Sequence, residues 1–86
     1  MRNLEEIKKM PPEEAISVLT VILENDPENE IALTLRGQKY WCLTKRRLAI
    51  NDYLAALRIN PESEARSLLE YANSILDFYS KDLLNP

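Results

Sequence analysis

The sequence predicts an all-α fold of about five helices, paired as antiparallel helix–turn–helix repeats. Three observations carry that expectation. Every long segment places its apolar residues three and four positions apart, and none alternates as a half-buried strand would. Prolines at 11–12, 27 and 61 punctuate those segments. The surroundings of Pro27 recur 34 residues later around Pro61, so the chain contains an internal repeat.

The elements follow in order. Before Pro11 there is room for one short helix built on Leu4, Ile7 and Met10. Pro11-Pro12 followed by Glu13-Glu14 reads as a helix start, with proline in the first turn and acids at the positive end of the dipole. That helix keeps Ala15, Ile16, Leu19, Ile22 and Leu23 on one face and stops at Asn25-Asp26-Pro27. The next starts near Asn29 and aligns Leu33, Gly37, Tyr40 and Trp41. A third runs from about Lys45 to Ile59 along Leu48, Ala49, Asp52, Tyr53, Ala56 and Leu57, and meets Asn60-Pro61. The last carries Ala65, Leu68, Leu69, Ala72, Ile75, Leu76 and Tyr79 on one stripe.

Across the 34-residue offset, Pro27-Glu28-Asn29-Glu30 recurs as Pro61-Glu62-Ser63-Glu64, Ala15-Ile16 as Ala49-Ile50, Leu23 as Leu57 and Leu35 as Leu69. The segment from Glu30 to Ser63 resembles a complete tetratricopeptide repeat (TPR), with Leu33, Gly37, Tyr40, Ala49, Tyr53, Ala56 and Pro61 at the family's spacing. The pattern makes physical sense. Gly37 and Ala49 are small where two helices touch, Tyr40 and Tyr53 fill the gaps beside that contact, and Pro61 cannot continue a helix. Residues 1–29 resemble a partial first repeat. Residues 64–86 resemble a capping helix, with Tyr71 in place of the glycine, and their ending, Ser74 to Asp82, is similar to the last helix of small stand-alone bacterial members. The resemblance implies one domain over residues 1–86, an α-solenoid of TPR-like hairpins. The chain departs from the family at Thr44, where the turn within a repeat usually has glycine, and at Arg36 and Arg46, which stand at often-apolar positions.

Composition narrows the function. The 86 residues include no histidine, one cysteine and one glycine. A Cys/His zinc cluster, an intramolecular disulfide, a His-activated nucleophile and a glycine-rich phosphate loop are therefore excluded, and neither catalytic residues, a metal nor a cofactor is expected. Glu13-Glu14 could supply a carboxylate pair, but the helix dipole explains it better than acid–base work. The longest apolar stretch, Ala15 to Leu23, is broken by Ser17 and Thr20 and is too short to span a bilayer, and the N-terminus lacks the apolar centre of a signal peptide. A cytoplasmic protein without a membrane partner is expected.

Charge is segregated. Residues 1–30 carry three basic and eight acidic side chains, residues 31–60 six and one, and residues 61–86 two and five. The basic middle could meet nucleic acid or an acidic peptide, but the acidic flanks would repel a polyanion, so no nucleic-acid partner is expected. Adjacent segments that neutralise one another on packing are the simpler reading.

The resemblance implies a protein or peptide partner held on the concave face, and it assigns that face to Ile31, Thr34, Gln38, Trp41 and Cys42. The first four lie three or four apart on one helix. Thr34 and Gln38 do not supply the positive charge that family members use to clamp a peptide carboxylate. Trp41 has two readings, a buried structural residue under the cap or an exposed anchor. Cys42 reads as a small apolar filler, Lys45-Arg46-Arg47 as a solvated turn, and Tyr71, Phe78 and Tyr79 as packing of the cap. The alternative function is a homodimer joined through the exposed ends of a short array.

Overall fold

The computed structural model describes the backbone of residues 3–84 and the side chains of residues 3–75, and it is all-helical in that span. Side-chain oxygens open three of its five helices. Asn3 accepts from the Glu6 amide at 2.9 Å and starts α1 (Leu4–Lys8). Pro12 and the acids Glu13 and Glu14 start α2 (Pro12–Asn25), which has no side-chain cap. Asn29 accepts from the Ala32 amide at 3.0 Å and starts α3 (Glu30–Cys42). Helix α4 (Arg46–Ile59) begins with neither a cap nor an acid in its first turn. Ser63 Oγ accepts from the Ala65 amide at 3.1 Å ahead of α5 (Ala65–Leu84). Of the α5 stripe, Leu76 and Tyr79 lie outside the described side chains, as does Phe78.

Each helix packs chiefly on its sequence neighbour, and α3 is the centre, flanked by α2 and most extensively by α4. The short connections make neighbours antiparallel, so α2 and α4 run parallel beside α3. Small residues permit the close approach. Ala15, Ala32, Ala49, Ala56, Ala65 and Ala72 are all buried, while Ile7 and Leu19 are the largest fully buried side chains. At Gly37 the ring of Tyr53 and the carbonyl of Ala49 occupy the space a Cβ would need.

Arg36, at an often-apolar position of the repeat pattern, is the tie among three helices. Its Nε and Nη2 donate to the two carboxylate oxygens of Asp52 on α4 at 2.7 and 2.8 Å, and its Nη1 donates to Thr20 Oγ1 on α2 at 3.2 Å. Asp52 is thereby buried with its charge paired. Leu48, expected on the same buried stripe, is instead 42% exposed. It lies about a quarter-turn from the centre of the Ala49–Asp52–Tyr53–Ala56 stripe, beyond the reach of α3. Tyr71, expected to pack in the cap, is also exposed.

The α3–α4 turn closes as a Schellman motif, in which Lys45 N–H donates to the Tyr40 carbonyl and Thr44 N–H to that of Trp41, both at 3.0 Å. The motif needs a left-handed residue, and Thr44 supplies it at φ 59°. Among the described residues, no helix is long and apolar enough to cross a membrane.

Candidate functional site

Packing uses one side of α3 and leaves the other open. Arg36 points toward α2 and α4. Ile31, Thr34 and Gln38 are offset from it by about half a turn, at about 100° per residue. They line a cavity of about 360 Å³, closed by Lys8 at one side and by the turn from Asn60 to Glu64 at the other.

Glu30 builds the floor of this cavity. Its Oε2 accepts from Ser63 Oγ at 2.6 Å and Thr34 Oγ1 at 3.3 Å, and its Oε1 accepts from Asn60 Nδ2 at 3.1 Å. The hydrogen bond from Ser63 does most to hold the Glu30 carboxyl below its ordinary pKa, aided by Asn60 and Thr34 and opposed by desolvation. Thr34 is buried, with its hydroxyl 2.9 Å from the Glu30 carbonyl and 3.2 Å from Ser63 Oγ, so it serves the floor and offers little to a ligand. Ile31 stands 54% exposed at the rim, and Gln38 is half-buried between two cavities.

The second cavity, about 220 Å³, lies one turn further along and is lined by Gln38, Trp41, Cys42, Tyr53, Leu68 and Tyr71. Trp41 falls between its two sequence readings. It is half-buried, edge-on to Tyr71 with ring centroids 6.4 Å apart, and the Arg46 guanidinium sits 5.1 Å from its ring centre. Arg46 therefore leaves the solvated turn to cover Trp41. Cys42 is exposed at this cavity and is not a buried filler. Burial, more than the nearby Cys42, Asp52 and Glu64, pushes the Tyr53 phenol up to about 12.

The five residues assigned from sequence thus line one strip of two adjacent cavities joined at Gln38. Sequence reasoning missed the opposite walls. Ser63 stood in view inside the repeated Pro-Glu-x-Glu segment and Asn60 just before it, but their bonds to Glu30 span about 30 residues. Tyr71 is the counterpart of Gly37 one repeat on. Where Gly37 makes room for a facing Tyr53, Tyr71 projects beside Trp41. Chemically the strip offers apolar surface, one amide, an aromatic pair and, at the turn, the carboxylates of Glu62 and Glu64. Such groups can make apolar, hydrogen-bonding and charge contacts. Comparison with protein-family models, curated proteins and solved structures returns no match.

Proposed function

We propose that this chain is a cytoplasmic protein-interaction module of the tetratricopeptide repeat kind, which holds a peptide or protein segment on the open face of α3 and catalyses no reaction. The observation that carries this reading is the strip from Ile31 through Gln38 to Trp41. It is open on the side of α3 that the packing of α2 and α4 leaves free. The close contact at Gly37 and the 34-residue equivalences support the repeat assignment. An aromatic edge beside a small cavity suits an apolar anchor residue, and carboxylates at the rim favour a segment that also carries a cation. The acidic surroundings of that rim argue against nucleic acid as the ligand.

Trp41 is the sole tryptophan, so its fluorescence reports occupancy of the strip directly. Titration with a library of short peptides that pair an apolar with a basic residue is expected to select binders that shift this emission. Ile31→Asp and Gln38→Ala should each weaken the selected peptide about tenfold or more. Thr34 is left intact because its hydroxyl belongs to the floor. Undiminished binding by both variants would remove the strip from the function.

A further inference from the structure

The outer faces of α2 and α4 carry opposite charge at equivalent positions. Glu13 and Glu24 stand 34 residues before Arg47 and Arg58, and Ser17 stands 34 before Asn51. All six are exposed, and none of the four charged side chains joins an ion pair among the described residues. Helix α4 also begins against its own dipole, with Lys45, Arg46 and Arg47 at an uncapped N-terminus, whereas α2 begins with Glu13 and Glu14. Between the two charged rows lies apolar surface. Asp52 and Thr20 share the Arg36 guanidinium, so the Asp52 edge of α4 faces α2. Leu48 and Ile59 lie on that edge at helical spacing and are 42% and 39% exposed.

We infer that these faces form the contact between two copies of this chain, related by a twofold axis that runs along the helices between α2 and α4. That rotation lays α2 of one copy over α4 of the other, parallel and in register. Equivalent positions then meet, Glu13 with Arg47 and Glu24 with Arg58 of the second copy, and each pairing occurs twice. Leu48 and Ile59 of both copies come to the middle, giving an apolar centre with a charged rim. The contact is isologous, so it closes a dimer and does not propagate. It differs from association through the ends of the array, and it leaves the open face of α3 free. An acidic peptide on α4 would account for Arg47 and Arg58 but not for the matching acids on α2.

Sedimentation equilibrium on the full chain tests the contact. In about 0.02 M salt the chain should sediment at twice the monomer mass, and in about 0.3 M salt the association should weaken about tenfold as the pairs are screened. Arg47→Glu with Arg58→Glu, and separately Glu13→Arg with Glu24→Arg, should each give monomers with unchanged helical circular dichroism. An equimolar mixture of the two double variants restores all four pairs and should return to the dimer mass. Arg47→Gln with Arg58→Gln, which removes the pairs without repulsion, should weaken association by a smaller factor. A monomer at low salt and about millimolar concentration, a dimer indifferent to both charge reversals, or a mixture that stays monomeric would each overturn the inference.

Discussion

A methyl group at position 37 would stand 2.5 Å from Tyr53 Cε1 and 3.2 Å from the Ala49 carbonyl oxygen. Tyr53 is 2% exposed and borders the cavity of about 220 Å³, so Gly37→Ala must drive its ring toward that cavity or push α3 and α4 apart. Overpacking of this kind costs about 1–3 kcal/mol, and better helix propensity returns about 1. A net loss of up to about 2 kcal/mol is expected in urea unfolding. The loss should shrink when Tyr53→Leu removes the ring, so a double-mutant cycle isolates the contact. Thr44 presents the opposite case. A β-branched residue at φ 59° sits where glycine costs nothing, so Thr44→Gly should stabilise by about 1 kcal/mol and raise the melting temperature by several degrees. Both positions were legible in the sequence for one reason. The chain has a single glycine, so its use at 37 and its absence at 44 each stand out against the repeat.

Helix limits were legible almost to the residue, because prolines and Asn29 act locally, within one turn of the backbone they interrupt or cap. What a helix face touches was less legible. Periodicity placed Leu48 and Asp52 on one stripe, but the partner of Asp52 lies 16 residues away on α3, and that bond is what buries the acid while the leucine stays out. Likewise the spacing of Ile31, Thr34, Gln38 and Trp41 revealed a shared face, whereas the role of Thr34 depends on Ser63, 29 residues on. These cross-helix bonds can be tested as ties. Asp52→Ala leaves the guanidinium of Arg36, whose side chain is 19% exposed, without its carboxylate, and should cost about 3 kcal/mol. Arg36→Met with Asp52→Leu removes both charges and should lie nearer the wild type. The Glu30 bonds join the start of α3 to the turn before α5. Because the folded-state pKa of Glu30 lies below the reference 4.5, its contribution is fully present above that pH and is lost as pH falls through the lower folded value. Denaturation midpoints should therefore decline on acidification below about pH 4.5, and Glu30→Gln should remove part of that decline.

The molecule measures 51 × 27 × 19 Å, and its thin stack rests on six buried alanines and two large fully buried side chains. A core of that size supplies only a few kcal/mol, and Val21, Ile31, Leu48, Leu54 and Ile59 meanwhile remain exposed. A small fold with that much uncovered apolar surface gains in proportion from any contact that covers it. If α2 and α4 meet a second copy, folding and association are linked, and mass action makes stability depend on concentration. Each tenfold rise in concentration contributes about 1.4 kcal/mol per dimer, or half of that per chain. For a domain of this length that corresponds to a rise of about 3–5 °C in the melting temperature. The dependence should vanish for Arg47→Glu with Arg58→Glu, whose gain in the first turn of α4 is offset by the acid placed in its last turn, so the isolated chain should keep about its own stability. Lost concentration dependence with unchanged monomer stability in one variant separates lost association from lost folding. A wild-type melting temperature that stays flat from micromolar to millimolar chain would leave Leu48 and Ile59 uncovered and assign the charge inversion to solubility alone.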